Sequence, residues 1–340
     1  MEGPIEVRPP VERDPAAEVL GAVRDRLDGA RHLPLRDLAF EADLEVAVLR
    51  RLFTAAGRYR DDDRYREEDR GYAHDVAALL ARFEVDLLER VLRLHARAAT
   101  TIAVNQLAML RTDPRLGPLL ELDQRLPASV IEVIVDEAER LLPLTQRMLV
   151  SDHRQALVSL LDTEAVRVAS TSNEDAIDLA VGFVDLVGFT RLSASVDTTG
   201  VGEMLGGFED GVHAAAEAVG DVLVVKFIGD AAMLVSESAD RLVDVLLRVV
   251  DDPLPSGDEV ERRAGIAAGG ITIRDGDYVG TAVNTAARLT DLARPGSVLV
   301  AEDAVGRLAG DWPQRQLRPR KLKGLGRSRP SRVFRDRATR

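Results

Sequence analysis

Two aspartates occupy matching positions in the C-terminal half of this 340-residue sequence. Asp185 ends the apolar run that begins at Ala180, and Asp230 follows a second such run, directly behind Gly229. Neighbouring strands lie about 4.8 Å apart, so paired strands would bring the two carboxylates to one place. Such carboxylates repel each other unless a cation lies between them, and Mg²⁺ and Mn²⁺ prefer oxygen ligands. The pair therefore favours a two-metal site of the kind used in phosphoryl transfer, although an isolated aspartate after a strand more often caps a turn.

Four further polar residues follow in the same half: Lys226, Asp277, Asn284 and Arg288. Asn284 and Arg288 are four residues apart in a predicted helix, which places both side chains on one helix face. Lys226 stands out because only three of the 45 basic residues are lysines, and all three lie in this half. Taken without the residues before them, Asn284 and Arg288 are better explained as ordinary solvated side chains on a helix, and chance alone could place the three lysines in one half.

Three sequence motifs in this half contain all of these residues. They are Phe183-Val-Asp-Leu-Val-Gly-Phe-Thr190, Lys226-Phe-Ile-Gly-Asp230 and Asp277-Tyr-Val-Gly-Thr-Ala-Val-Asn-Thr-Ala-Ala-Arg288. Together they resemble the catalytic motifs of the class III nucleotidyl cyclases, over residues 175–334. The resemblance implies an adenylate cyclase that converts ATP into 3′,5′-cyclic AMP and pyrophosphate. It also implies an α+β ferredoxin-like (βαββαβ) catalytic domain preceded by an all-α regulatory domain.

The resemblance assigns the metal and phosphate contacts to a few residues. Asp185 and Asp230 are the implied ligands of two Mg²⁺ or Mn²⁺ ions per active site, with the backbone carbonyl of Leu186 as a further ligand. Lys323, in the late motif Lys321-Leu-Lys323-Gly, is implied to meet the triphosphate. A solvated basic tail explains these late lysines equally well, and the sequence does not decide which lysine would make the contact.

The other implied roles concern the nucleoside and the reacting phosphorus. Lys226 would donate to adenine N1, and Asp277 would accept from the exocyclic amine. Guanine presents a carbonyl and a ring N–H at these positions and would leave groups unmatched, so the pair favours ATP over GTP. Asn284 is implied to orient the ribose. Arg288 is implied to stabilise the charge at the phosphorus with its permanently charged guanidinium.

In this family the active site is shared between two chains, with the metal aspartates of one facing the nucleotide-binding residues of the other. This sequence carries both sets, which implies a homodimer with two active sites. A catalytically silent sensor of the same fold is the alternative, and the retention of every side chain with an implied role disfavours it. A diguanylate cyclase is disfavoured because its Gly-Gly-Asp/Glu signature is absent from the hairpin.

The elements that must position these residues follow from the apolar spacing. Residues 173–337 predict strand, helix, hairpin, helix, strand, helix and strand, which we interpret as the catalytic domain. Residues 16–144 show almost only helical spacing, with runs at Tyr72–Leu110 and Ser129–Leu142, the second of which Pro143 is expected to end. Residues 145–172 are expected to form a linker, and residues 1–15, rich in proline and charge, a flexible N-terminus.

The N-terminal half resembles, more loosely, the regulatory domains of the actinobacterial pH-sensing adenylate cyclases. The resemblance implies an all-helical, dimerising module that restrains the cyclase and can hold a fatty acid. The apolar residues of Tyr72–Leu110 would then line a pocket, although such residues more often form a plain core. His153, beside Asp152 in the linker, is the candidate pH sensor because histidine titrates near neutrality. A plain surface histidine is the alternative.

The overall composition excludes several other classes of protein. The net charge of −12 argues against a nucleic-acid partner, and the acidic run Asp61–Asp63 would repel phosphates beside a weak helix-turn-helix pattern at Leu35–Gly57. The absence of cysteine excludes disulfides and zinc thiolates. No apolar run approaches the roughly 18 residues of a transmembrane segment, and no signal peptide is recognisable. The sequence therefore predicts a cytoplasmic enzyme.

Overall fold

A computed structural model describes residues 15–112, 127–161, 176–193, 196–254, 260–274 and 277–335. The described residues form two compact units, divided between Asp152 and His153. Most of the expected flexible N-terminus, residues 1–14, and the second part of the expected linker, residues 162–172, lie outside the described residues.

The N-terminal unit is built from helices and one two-residue strand pair, β1 and β2. Its core contains Leu38, Leu49, Phe53, Val76 and Leu88. The elements are α1 Pro15–Asp28, β1 Leu33–Pro34, α2 Leu35–Glu41, α3 Val46–Ala55, β2 Arg64–Tyr65, α4 Glu68–Leu80, α5 Val85–Thr112 and α6 Ala128–Leu161, which continues past the division.

The predicted helical run Tyr72–Leu110 is interrupted in the structure. Helix α4 ends at Leu80 and α5 begins at Val85. Because the two helices are separate, the helical spacing of apolar residues in α4 does not predict which residues of α5 are buried. Leu88 and Leu92 of α5 are buried, whereas Leu87, Val91 and Leu94 are more than a third exposed. The apolar residues expected to line a fatty-acid pocket in α5 are therefore divided between the core of this unit and its surface.

Pro143 does not end a helix, which corrects the sequence-based expectation. It lies inside α6, which is 34 residues long. Proline costs about 3 kcal/mol in a helix interior, but the flanking Leu, Gln, Arg and Met residues are strong helix formers and the ladder continues on both sides. The first part of the expected linker is therefore helical, and His153 belongs to this helix.

The C-terminal unit is an α+β domain around one mixed sheet. The strand order is β4-β5-β3-β6-β8-β12-β9; β7 pairs with the far end of β6, and β10 with β11. Pairs β4–β5, β5–β3 and β3–β6 are antiparallel, and β6–β8 is parallel. The strands are β3 Ile177–Leu186, β4 Leu223–Ile228, β5 Ala231–Ser236, β6 Arg262–Arg274, β7 Asp277–Val279, β8 Ser297–Val300, β9 Gln314–Gln316, β10 Arg320–Leu322, β11 Gly326–Ser328 and β12 Ser331–Val333.

The helices of this unit cover both faces of the sheet. They are α7 Phe189–Ser193, α8 Thr198–Val219, α9 Ala239–Asp251, α10 Thr281–Leu292 and α11 Glu302–Val305. Their order along the chain confirms the predicted succession of strand, helix, hairpin, helix, strand, helix and strand.

Strand β3 is buried on both faces. Ala180 and Val184 pack in the cluster that contains residues of α8 and α9. Leu179, Val181 and Phe183 face the opposite cluster, which contains residues of α10. A strand buried in this way reads as an almost continuous apolar run, so a charged residue fits only near its end, where Asp185 lies. Among the described helices, none combines the length and the apolar character that a membrane crossing requires.

Candidate active site

Asp185 and Asp230 lie at the same end of the sheet. In the register of β3 and β5, Asp185 pairs with Ala231, the residue that follows Asp230. The backbone N–H of Leu186 donates to the carbonyl of Asp230 at 3.1 Å. Gly229 makes the hairpin turn possible with a φ of 62°, a conformation that glycine adopts without strain. The strand that Asp230 follows, β4, is not a neighbour of β3, because β5 lies between them. The β4–β5 turn instead brings Asp230 to the start of β5, which pairs with the end of β3 at Asp185.

A positively charged side chain that the sequence analysis missed, that of Arg263, contacts Asp185. Arg263 lies opposite Asp185 on β6. Its Nη2 and Nε lie 2.6 Å and 3.1 Å from Asp185 Oδ2, and its Nη1 donates to the carbonyl of Asp291 at 2.9 Å. Burial raises the pKa of Asp185. The hydrogen bonds and the charge of Arg263 lower this pKa, and the negative charge of Asp230 raises it. No signal in the sequence marks Arg263, because its contact depends on the register of two strands that are distant along the chain.

The carboxylates at this end of the sheet fit a hard divalent cation that is also bound by the phosphates of a substrate. Among the described residues, no group of three or more His, Cys, Asp or Glu side chains forms a metal cage. Mg²⁺ commonly binds one or two carboxylates and completes its shell with water and substrate phosphates. Two adjacent aspartates, one of them partly buried beside a counter-cation, meet that requirement.

Lys226 and Asp277 meet although they belong to strands that do not pair with each other. Lys226 follows a bulge in β4, and its Nζ lies 2.5 Å from Asp277 Oδ1 on β7. The same carboxylate oxygen accepts from the backbone N–H of Tyr278 at 2.8 Å. The ammonium group of Lys226 holds the pKa of Asp277 below its usual value, with the Tyr278 N–H as a further cause. Asp277 is thus an ionised acceptor beside a charged donor.

Asn284 and Arg288 lie together on the exposed face of α10. The opposite face of this helix packs into the core through Ala282, Ala286 and Leu289. The guanidinium of Arg288 lies 3.2 Å from the Asp291 carboxylate, one turn further along. Between described residues, no hydrogen bond or ion pair joins Asn284 or Arg288 directly to Asp185 or Asp230. The connection is indirect, because Arg263 contacts both the Asp185 carboxylate and the backbone carbonyl of Asp291.

The chain is similar to known proteins over most of its length. No family model matches it. A pH-sensitive adenylate cyclase of Mycobacterium tuberculosis (strain CDC 1551 / Oshkosh) is 31% identical over 319 residues, which cover 88% of this chain and 77% of that relative. The chain belongs to the class III adenylate cyclase family.

Two further similarities are restricted to about half of the chain. An uncharacterized protein of Mycobacterium tuberculosis (strain ATCC 25618 / H37Rv) is 40% identical over 149 residues, which span 44% of this chain and only 39% of that relative's length. The solved catalytic core of a rhodopsin-guanylyl cyclase with converted specificity, in complex with ATPαS, is 25% identical with a TM-score of 0.44. The alignment covers 47% of this chain and 97% of the chain of that structure.

The two remaining candidate residues of this cyclase lie in exposed positions. Lys323 lies in the turn between β10 and β11, next to Leu322, which is buried in the same cluster as Ala286 of α10. The hairpin therefore lies beside the helix that carries Asn284 and Arg288. His153 is exposed on α6.

Proposed function

We propose that this chain is an adenylate cyclase that converts ATP into 3′,5′-cyclic AMP and pyrophosphate. The observation that carries the proposal is the contact between Lys226 and Asp277, formed across 51 residues of sequence at the surface of the domain that also holds the two aspartates. Its donor and its acceptor match adenine N1 and the exocyclic amine. Guanine offers a ring N–H to Lys226 and a carbonyl to Asp277, so each pairing would oppose like groups.

Asp185, Asp230 and the carbonyl of Leu186 would hold one or two Mg²⁺ or Mn²⁺ ions. Bound there with the nucleotide, these cations supply positive charge to the phosphate oxygens and favour ionisation of the ribose 3′-hydroxyl. Arg263 contacts the Asp185 carboxylate and would add a permanent positive charge near the triphosphate. Lys323 would add another from the β10–β11 turn.

The residues of this chain contribute mainly orientation and charge to the reaction. The ribose 3′-oxygen attacks the α-phosphorus of the same ATP, the bond to the β-phosphate oxygen breaks, and the hydroxyl proton leaves to water. Because the nucleophile is already tethered, most of the barrier reduction comes from holding it in line. Asn284 orients the ribose, and Arg288 stabilises the charge that develops at the phosphorus.

We propose further that each active site is shared by two copies of the chain. The support is that this chain carries both sets of residues, while no direct contact joins Asn284 or Arg288 to Asp185 or Asp230 among the described residues. An Asp185→Ala chain mixed with an Asn284→Ala chain should recover about one working site per heterodimer, although each variant alone is inactive. Absence of any recovery would contradict the shared site.

The sheet topology supports a ferredoxin-like catalytic core. The segment β3-α8-β4-β5-α9-β6 follows the βαββαβ order, its four strands lie in the antiparallel order β4-β5-β3-β6, and α8 and α9 pack in one cluster. In this arrangement the end of β3 and the β4–β5 turn share one edge of the sheet.

The helical N-terminal domain is proposed to restrain the cyclase in response to pH. The similarity to a relative named pH-sensitive supports this role. His153→Ala should flatten the activity profile between about pH 5.5 and 8, the range in which histidine titrates, and an unchanged profile would exclude His153. A fatty acid gains no support from the described residues. The open cleft between α3 and α5 is lined by the charged side chains of Arg50, Arg51, Glu89 and Arg93 together with Ala47, Thr54 and Ala55. The cytoplasmic location stays a prediction.

The function is tested by measuring cyclic AMP formation from ATP with Mn²⁺, using the full chain and residues 171–340. We expect product from both, with a rate that changes when the N-terminal domain is removed. No product from either would favour a catalytically silent sensor.

A further inference from the structure

A buried hydroxyl connects the helix of Arg288 with the strand of Asp185. Thr290 lies in α10 and is only 4% exposed. Its Oγ1 lies 3.2 Å from the carbonyl oxygen of Phe183 on β3 and 3.0 Å from that of Ala286, one turn back in α10. A threonine hydroxyl has one proton to donate, so the helix and the strand share this donor.

Gly265 allows the helix to come this close. It pairs with Phe183 in the register of β3 and β6. A Cβ at this position would lie 2.5 Å from the carbonyl oxygen of Ala286 and 2.8 Å from the carbonyl carbon of Leu289, and closer still to the backbone nitrogen of Thr290. Contacts this short exclude a side chain, so the backbone of α10 rests directly on β6 at the glycine.

This contact lies between the two sets of functional residues. Phe183 is two residues before Asp185, and Thr290 is two residues after Arg288. Arg263 makes a second connection nearby, because it holds Asp185 and donates to the carbonyl of Asp291. The position of α10 relative to β3 is therefore fixed at this point of the chain.

We propose that Thr290 is a positioning residue for cyclisation. Its hydroxyl hydrogen-bonds to β3 where α10 packs closely against Gly265, and this bond fixes the position and rotation of α10 relative to the sheet. The position of α10 in turn sets the direction from which Asn284 and Arg288 contact the nucleotide. The proposal rests on the proposed function, since it assigns Asn284 and Arg288 to the ribose and the phosphorus. It adds a buried residue, without substrate contact, on which their geometry depends.

The first expectation concerns how the loss divides between kcat and KM. Thr290→Val should lower kcat about tenfold, since a displacement of about 1 Å can cost about 10²-fold in rate. The KM for ATP should change less than about threefold, because the adenine contacts Lys226 and Asp277 lie on β4 and β7, outside α10. Thr290→Ser keeps the hydroxyl and should restore kcat.

Thr285 offers a matched control on the same helix. Its hydroxyl also bonds to the carbonyl four residues back, that of Thr281, at 2.8 Å, but from the exposed side of α10. Thr285→Val removes the same type of bond without touching the sheet and should leave kcat unchanged. An equal loss in both valine variants would indicate helix stability instead of positioning. If Thr290→Val fails to fold in a thermal unfolding measurement, Thr290→Ala takes its place in every comparison.

The decisive experiment places the substitution in one chain of a complemented heterodimer. An Asp230→Ala chain supplies α10 to the single working site, and an Asn284→Ala chain supplies the metal aspartates. Asp230 is altered here instead of Asp185 because Asp185 is tied to α10 through Arg263. Thr290→Val in the Asp230→Ala chain should lower the recovered activity about tenfold, whereas the same change in the Asn284→Ala chain should leave it within about twofold.

Each outcome decides the proposal. Equal losses from both placements, or no loss from either, would overturn the positioning role. If the pair recovers no activity even without a change at Thr290, the shared site is wrong. The homodimer then decides about Thr290, and a kcat of Thr290→Val equal to that of the unaltered chain overturns the proposal.

Discussion

The side-chain nitrogen of Lys226 lies 2.5 Å from a carboxylate oxygen of Asp277, although the residues are 51 positions apart in the sequence. Both side chains remain partly exposed, at 35% and 51%. An exposed ion pair of this kind contributes little to stability. The role that we propose for the pair is the recognition of adenine.

Replacing Asp277 by asparagine should weaken the use of ATP. The amide presents donors or a weaker acceptor to the exocyclic amine and loses the attraction to Lys226. We expect kcat/KM for ATP to fall about 10- to 100-fold, as for the loss of a hydrogen bond to a charged group. Asp244→Asn, which breaks the ion pair with Arg248 on α9, is the matched control and should leave kcat/KM unchanged. Equal behaviour of the two variants in steady-state assays would contradict the assignment.

The ion pair also predicts a titration that can be observed directly. Lys226 lowers the pKa of Asp277 in the folded protein, so the pair's contribution to stability is present above the ordinary carboxyl range. That contribution is lost as the pH falls through the lowered, folded-state pKa. In Lys226→Met the pKa of Asp277 should move up toward its ordinary value, measured by carboxyl NMR titration. A pKa that stays in place would mean that Lys226 is not the main cause of the shift.

Arg263→Gln should destabilise the metal-free protein. Without the guanidinium, the partly buried Asp185 carboxylate is left beside the like charges of Asp230 and Asp291. We expect the free energy of unfolding to fall by about 1–3 kcal/mol in chelator, and by less in Mn²⁺, which replaces the lost positive charge. Arg307→Gln is the control, because Arg307 pairs with the exposed Asp178 on the same strand and should cost less than about 1 kcal/mol. A loss that is independent of Mn²⁺ would argue against a cation at Asp185.

Asp185→Asn and Asp230→Asn should each weaken the binding of Mn²⁺ in the presence of an uncleavable ATP analogue. Because such cations commonly bind through one or two carboxylates, the loss of either Asp185 or Asp230 should weaken the affinity at least about tenfold. Electron paramagnetic resonance of free Mn²⁺ measures the effect. Asp178→Asn, also on β3, should retain the affinity of the unaltered chain. Retained affinity in both active-site variants would place the metal elsewhere.

The local features of the catalytic domain were predictable from the sequence, because they depend on short-range periodicity. Strand β3 reads as an apolar run that ends at Asp185, and the glycine-containing turn before β5 marks the place of Asp230. Asn284 and Arg288 share a face because of helical spacing alone.

The contacts that the sequence did not predict all depend on long-range geometry. Arg263 meets Asp185 through the register of β3 and β6, and Thr290 reaches Phe183 only because Gly265 lets the helix approach. In the N-terminal domain, α6 continues through Pro143 because the helix propensity of the other residues of α6 outweighs the unfavourable free energy of one proline. Local propensity does not contain this information.

The most direct test of the central claim is competition between ATP and GTP. The purified full chain is incubated with equal concentrations of both nucleotides and Mn²⁺, and cyclic AMP, cyclic GMP and pyrophosphate are quantified. The pairing of Lys226 and Asp277 with adenine predicts cyclic AMP and equimolar pyrophosphate, with cyclic GMP lower by about 10²-fold or more. Cyclic GMP as the main product, or no cyclic nucleotide at all, would contradict it.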